Sequence, residues 1–170
     1  GVCRLTASPG SADARRFATV WTDAAQPLPD LLLVLASTRT AEQPGISAAG
    51  CTPAARRTTA LADAELLLKG PSVAPRWCLP PLPAGVSPAL ISWVVCEQLG
   101  LDPQVAALGL PVPPHFPHLR LESPGAGPGG CVSSGAAMEI ERVQQLLYRG
   151  RRFGRRLNRP LVLAECVPGG

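Results

Sequence analysis

The longest uninterrupted apolar run in this chain covers positions 31–36, and a shorter run of the same kind covers 161–164. Short runs without polar alternation, bounded by turn-forming residues, are typical of strands that are buried on both faces of a parallel sheet. Segments 2–7, 76–79 and 104–108 also have the residue types of short strands. The pattern therefore predicts five short strands.

Helical signals separate these strands. An N-cap at 11–13 predicts a helix over 14–21, and a second helix over 61–69 ends at Gly70, with Asp63 and Glu65 in its first turns. Ser87 and Pro88 begin a third helix that ends at Gly100. The fourth covers 138–157. The predicted buried stripe of the third helix consists of Leu90, Ile91, Val94, Val95 and Leu99.

Strands and helices alternate along the whole chain. This order favours right-handed crossovers and a mostly parallel sheet. The predicted fold class is α/β, a Rossmann-like and mostly parallel sheet flanked by helices. Two irregular segments interrupt the pattern. Segment 37–59 follows a buried strand and is long enough to be functional, whereas 123–135 is rich in Gly and Pro and is expected to be an exposed loop.

Composition limits the classes of protein to consider. With 170 residues, 46% hydrophobic and 16% charged, the chain fits one folded domain. The net charge of +4 comes largely from arginines near 149–159, but aromatic residues are only 4%, so nucleic-acid binding is not expected. No apolar run is long enough to span a bilayer. Six well-spaced cysteines without a secretory signal predict reduced thiols and a cytoplasmic protein.

Neither histidine has the neighbours that a metal site needs. His115 and His118 lie in a Pro-rich segment where Glu122 is the only further candidate ligand, so a surface loop is the favoured interpretation. Cys51 and Cys166 have no basic neighbour and are interpreted as small buried thiols. No metal and no cofactor is predicted.

The last predicted strand is followed by the motif that most clearly suggests a ligand site. Glu165 follows the strand, and Gly169 and Gly170 follow Cys166, Val167 and Pro168. Ligands of open α/β sheets bind beyond the carboxyl ends of the strands, and paired glycines let backbone N–H groups approach a phosphate. Glu165 at such a place suits hydrogen bonds to ribose hydroxyls. On its own, a Gly-Gly pair after a strand is a weak signal.

Six segments in order make the signal more specific. They are GISAAG at 45–50, TP at 52–53, ALADAE at 60–65, GVSPAL at 85–90, GAAM at 135–138 and AECVPGG at 164–170. Together they resemble the nicotinate-nucleotide–dimethylbenzimidazole phosphoribosyltransferase family, in particular its cyanobacterial and archaeal branch. The resemblance covers nearly the whole chain.

The resemblance implies a fold and a reaction. The fold is a Rossmann-like sheet with a small helical addition, in a homodimer. The reaction is that of a pentosyltransferase, which moves phosphoribose from nicotinate mononucleotide to a benzimidazole-type base, the lower ligand of cobalamin, without a metal or cofactor. Residues 1–170 would be the amino-terminal part of one such domain, cut at the phosphate-binding loop, and therefore inactive by themselves.

The resemblance also implies site residues, one position at a time. Gly45, Ile46 and Ser47 match the loop that frames the base, and Glu165, Gly169 and Gly170 match the start of the nucleotide loop. The hydroxyl residues that continue that loop in the family are not in this sequence, and no residue matches the family's catalytic glutamate. No catalytic residue is therefore assigned. A non-catalytic nucleotide- or base-binding module, and a truncated product without function, stay open as alternatives.

Overall fold

A computed structural model describes residues 27–47, 49–50, 52–77, 79, 87–123 and 125–169. Within these residues the chain forms four strands and three α-helices. The strands are β1 Asp30–Leu35, β2 Pro103–Ala107, β3 Leu119–Arg120 and β4 Leu161–Cys166. The helices are α1 Pro53–Lys69, α2 Pro88–Leu99 and α3 Ile140–Gly154, and short 3-10 turns cover Arg39–Glu42 and Val132–Ser134.

The four strands form one sheet in the order β3-β2-β1-β4, and every neighbouring pair is parallel. Because parallel neighbours need crossover connections, α1 and α2 lie between β1 and β2 along the chain, and α3 lies between β3 and β4. The predicted α/β, Rossmann-like class is confirmed.

The hydrophobic core lies between the sheet and α1. Leu33 and Leu35 of β1, together with Val105 of β2, pack against Leu61 and its small neighbours on α1. Leu35 and Leu61 are completely buried, and the small alanines of α1 let the helix approach the sheet closely. Leu33 and Leu35 are buried because α1 packs on their face of the sheet, while the neighbouring strands on both edges of β1 satisfy its backbone groups.

Helix α1 begins at Pro53, eight residues before the predicted start. Thr52 has extended backbone dihedrals and its side chain accepts a hydrogen bond from Ala55 N at 3.1 Å, and Pro53 occupies the first helical position. A threonine N-cap followed by proline is a strong start signal. The predicted irregular segment, 37–59, was therefore too long, because residues 53–59 are helical. Asp63 and Glu65 lie deep in the helix and not in its first turns.

Replacing Thr52 with alanine is expected to lower the free energy of unfolding by about 1 kcal/mol, because the N–H of Ala55 loses its acceptor. Urea denaturation followed by circular dichroism measures the change. Thr58→Ala is the matched control, since that threonine lies inside the same helix, and alanine has the higher helix propensity. An equal loss in both variants would contradict the capping role.

One predicted strand was wrong, and the predicted range of another was too short. Segment 76–79 is not a strand at its described positions; the backbone N–H groups of Arg76 and Trp77 donate to the Glu65 carboxylate at 2.8 and 3.3 Å. Strand β4 continues two residues beyond its predicted end, so Glu165 lies within the strand. The two-residue strand β3 was not predicted, because two residues carry no periodicity.

The predicted buried stripe of α2 was also wrong. Ile91, Val94, Val95 and Leu99 are exposed, and the helix meets the core through Cys96 and the half-buried Trp93. Periodicity finds an apolar face, but it does not say what covers that face.

Helix α3 is attached to the rest of the protein through polar groups. Arg142 binds the Glu122 carboxylate and the Gly127 carbonyl, and Arg149 donates to the Leu121 carbonyl at 3.1 Å. The apolar residues Ile140, Val143 and Leu147 are exposed. The predicted strand 2–7 and helix 14–21 lie outside the described residues. None of the helices in the described part of the chain combines the length and the apolarity needed to cross a bilayer.

Candidate functional site

The sheet contains a topological switch point between β1 and β4. From β1 the chain moves outward to β2 and β3, and then returns to the other side of β1 to form β4. In open α/β sheets ligands bind outside the carboxyl ends of the strands at such a point. The loops that follow β1 and β4 are therefore the first place to look for a site.

The loop after β1 is joined to the Gly-rich segment around Gly129. Gly129 N donates to Ser37 O, and Arg39 N donates to Gly129 O, both at 2.9 Å. The Thr40 hydroxyl accepts a hydrogen bond from Val132 N at 3.0 Å. Segment 123–135 was predicted to be an exposed loop, but Gly129 is buried against the end of β1. The rest of the described segment is a largely exposed loop, as predicted, but Gly/Pro-rich composition does not show where such a loop docks.

The loop after β4 reaches the same place. The Thr38 hydroxyl lies 3.1 Å from Pro168 O and 3.3 Å from Gly169 O, so it donates to the main chain of this loop. Gly169 has a φ of 71°, and a Cβ at this position would lie 2.8 Å from Ala41 Cα. Only glycine fits such a left-handed and closely packed position. Gly170 lies outside the described residues.

The predicted base residues form a tight turn farther along the β1 loop. Ile46 N donates to Gln43 O at 3.5 Å, and Gly45 has a φ of 76° after Pro44, as in a type II turn. Ser47 accepts a hydrogen bond from Ala49 N at 3.2 Å. Ile46 is 58% exposed. The turn therefore presents an apolar side chain to solvent on the carboxyl side of the sheet.

Side chains of helix α1 donate hydrogen bonds to the main chain of this loop. Arg56 donates to the carbonyl groups of Ala41, Glu42 and Gly50, and Thr59 donates to Ala49 O at 2.6 Å. Arg57 pairs with the Glu42 carboxylate at 2.8 Å, and this hydrogen bond holds the pKa of Glu42 below its usual value. Glu42 is therefore a poor proton acceptor at neutral pH.

The two residues at the end of β4 point to opposite faces of the sheet. Cys166 packs against the core and donates to Asp63 at 3.4 Å; burial and the nearby Asp63 carboxylate raise its pKa to about 12. Such a thiol is not a nucleophile, in agreement with its interpretation as a buried thiol. Glu165 is exposed on the other face. No hydrogen bond within the described residues joins it to the Gly45–Ser47 turn.

A second thiol at this edge behaves differently. Cys131 Sγ lies 3.0 Å from Ser133 Oγ, and hydrogen bonding by Ser133 lowers the pKa of this partly exposed thiol. Thr40 contributes in the same direction. The contact with Ser133 is local, joining residues two positions apart, whereas the contribution of Thr40 depends on how the Gly129 segment docks on the β1 loop.

A polar cluster forms around Glu65. The Glu65 carboxylate is 3% exposed and accepts hydrogen bonds from Lys69 and His115, each at 2.9 Å, and from the backbone of Arg76 and Trp77. Burial opposes its ionisation, but these donors outweigh burial and lower the pKa of Glu65 to about 2. His115 lies in an exposed loop, as predicted, and its ring nitrogen also reaches the buried Glu65 carboxylate. Among the described residues no group of three His, Cys, Asp or Glu side chains could hold a metal ion.

The structure thus brings together part of what the sequence predicted. Gly169 meets the β1 loop through Thr38 and Ala41, and the base turn lies farther along that same loop. Thr38, Thr40 and Gly129 were missed. The run Ser37–Thr40, which offers three hydroxyl groups directly after a buried strand, was the available signal.

Comparison with known proteins gives relatives without a stated activity. No family model matches the chain. The chain is similar to UPF0284 proteins of cyanobacteria. It is 65% identical over 141 residues to one from Parasynechococcus marenigrum, which covers 83% of this chain and 36% of the relative. It is 68% identical over 141 residues to one from Prochlorococcus marinus strain MIT 9313, covering 82% and 35%.

A UPF0284 protein of Cyanothece sp. is more distant, at 48% identity over 146 residues, with 84% of this chain and 39% of the relative covered. The chain therefore spans little more than a third of the length of these curated relatives. Their name specifies neither a ligand nor a reaction.

Proposed function

We propose that this chain supplies part of the nucleotide and base site of a phosphoribosyltransferase. The whole protein would transfer phosphoribose from nicotinate mononucleotide to a benzimidazole-type base for cobalamin, as a homodimer. The observation that carries this proposal is the junction at the switch point, where the Gly169 loop meets the β1 loop through Thr38 and Ala41. The position is the one at which doubly wound sheets bind nucleotides.

Each predicted residue has a role in this proposal. The turn at Gly169 offers backbone N–H groups to a phosphate, and Gly170, which follows it in the sequence, is assigned to the same nucleotide loop. Glu165 accepts hydrogen bonds from ribose hydroxyls. The Gly45–Ser47 turn frames the base, with Ile46 against its apolar plane and Ser47 at its edge. Arg39, which is exposed in the same loop, adds a positive charge near the phosphate.

A non-catalytic binding module is the second candidate, and one observation favours it. The described side chains at the carboxyl edge include no histidine, and the Glu42 carboxylate is paired with Arg57, which lowers its pKa. The described part of this edge therefore offers no imidazole as a general base. Binding without turnover by this chain alone fits both candidates.

Calorimetry and a turnover assay separate the possibilities. The purified chain is titrated with 5,6-dimethylbenzimidazole and, separately, with nicotinate mononucleotide. The full-length Parasynechococcus relative is incubated with both, and release of nicotinate is followed by chromatography. We expect saturable binding of the base by the chain, and nicotinate release only by the longer protein. Binding by the chain without release by the longer protein would favour the module, and no binding by the chain together with no release by the longer protein would exclude both.

A further inference from the structure

A buried arginine lies directly beneath the loop that carries the base turn. Arg56 is 7% exposed, and its guanidinium donates to three main-chain carbonyls: Nε to Ala41, Nη1 to Gly50 at 2.8 Å and Nη2 to Glu42 at 3.2 Å. Within the described residues its hydrogen bonds go to carbonyl oxygens only. Burying a charge is costly unless its donors are hydrogen-bonded, and these three bonds offset the burial of the guanidinium.

The three acceptors lie at the two ends of one loop segment. Ala41 and Glu42 precede the turn and Gly50 follows it, so one side chain ties both ends of segment 43–49 together. A closed loop of this kind is compact although it has little secondary structure. The planar guanidinium can satisfy several acceptors at fixed angles, which the point charge of a lysine cannot do.

The tip of the same loop is exposed, whereas its ends are closely packed and hydrogen-bonded. Thr59 donates to Ala49 O at 2.6 Å, and Gly50 is buried so closely that an added Cβ would lie 2.9 Å from Ala55 Cβ. A Cβ added at Gly45 would meet nothing within 4 Å. Ile46 is therefore exposed on a loop whose two ends are fixed by hydrogen bonds from Arg56 and Thr59.

We infer that Arg56 is a positioning residue that holds the Gly45–Ser47 turn in the shape that receives a planar, largely apolar base. This inference rests on the proposed function. A turn that is ordered before binding loses less conformational entropy when the ligand arrives, so affinity for the base depends on the clamp. Arg56 itself does not touch the ligand; it acts through the main chain of the loop.

The test compares two variants at position 56 with a neighbour. Calorimetric titration of the 170-residue chain with 5,6-dimethylbenzimidazole is expected to show at least a tenfold weaker Kd for Arg56→Met and for Arg56→Lys. The Kd for nicotinate mononucleotide should change less than threefold. Arg57→Gln is the matched control: this side chain is 52% exposed and pairs with Glu42 at the surface, so base affinity should change less than twofold.

Hydrogen exchange supplies a readout that does not depend on the ligand. The amides of Gln43, Ala49, Gly50 and the Gly45–Ser47 turn should exchange at least tenfold faster in Arg56→Lys, while those of β1 and β2 keep their rates. If Arg56→Met does not fold, Thr59→Val removes the bond to Ala49 with nearly the same volume and takes its place. If the unchanged chain does not bind the base, the role of Arg56 in this chain is overturned, and the proposed function fails only if the full-length relative also releases no nicotinate. If the unchanged chain binds and Arg56→Lys binds equally well, the proposed function stands and the role of Arg56 is overturned.

Discussion

Replacing Glu65 with glutamine is expected to lower the free energy of unfolding by about 3 kcal/mol at pH 7. The glutamine has nearly the same shape, but it removes the negative charge that Lys69 and His115 share at 2.9 Å. Its amide can also offer only one oxygen to the four donors that surround the carboxylate. Urea denaturation, followed by tryptophan fluorescence, measures the loss.

The pH dependence of this effect has a definite sign. The pKa of Glu65 falls from 4.5 to about 2 on folding. A carboxylate with a lowered pKa in the folded state stabilises the protein above the unfolded pKa, and this contribution disappears as pH falls through the folded value. The stability difference between the unchanged chain and Glu65→Gln should therefore be full above pH 5 and should shrink steadily between pH 4.5 and pH 2.

Glu42→Gln is the control for this experiment. Glu42 also has a lowered pKa, but its bond to Arg57 lies at the surface, where a pair contributes less than about 1 kcal/mol. Its loss should also decrease when salt is added. A Glu65→Gln penalty below 0.5 kcal/mol, on the order of a surface pair, or one that is the same at pH 3 and pH 7, would contradict the buried role of Glu65.

The sheet could be predicted from the sequence because its signals are local. Strand β1 is an unbroken apolar run, and β4 repeats the pattern, so both were found close to their observed positions. The order of strands and helices then allows few topologies, since parallel strands need right-handed crossovers. The strand predicted at 76–79 was wrong because local residue types do not show long-range contacts. Its residue types suit a strand, but the buried Glu65 carboxylate takes the backbone N–H groups of Arg76 and Trp77.

The exposed faces of α2 and α3 could not be predicted from one sequence. An amphipathic pattern shows that a helix has an apolar side, and burial depends on what lies beside it. Ile91 and Leu99 on α2, and Leu147 on α3, are exposed in the structure. Polar groups such as Arg142 attach α3 instead, through contacts that join residues 20 positions apart.

Only those parts of the candidate site that depend on local signals could be predicted from the sequence. Glycine at 169 and the Pro-Gly turn at 45 are local signals, because only glycine readily adopts a positive φ. The hydroxyl of Thr38 and the docking of Gly129 are long-range, since the bond from Thr38 to Pro168 joins residues 130 positions apart. Such contacts follow from strand order, which the residue types do not specify.

Replacing Gly70 with alanine is expected to lower the free energy of unfolding by about 2–4 kcal/mol, from two separate causes. Gly70 ends α1 with a φ of 72° and a ψ of 175°, a region that residues with a side chain almost never occupy. An added Cβ would also lie 2.8 Å from the ring of Trp93, which packs against the core from α2. Thermal and urea denaturation of the variant measure the combined loss.

Gly100→Ala separates the two causes. Gly100 ends α2 with a φ of 66°, and an added Cβ would meet nothing within 4 Å, so backbone strain alone should cost about 1 kcal/mol. Equal losses in both variants would contradict the contact with Trp93. The distance along α1 gives a second check: Gly70 lies about 21 Å from Arg56 at 1.5 Å per residue. Because the clamp is at the opposite end of the helix, folded Gly70→Ala protein should bind the base as tightly as the unchanged chain, although it is the less stable protein.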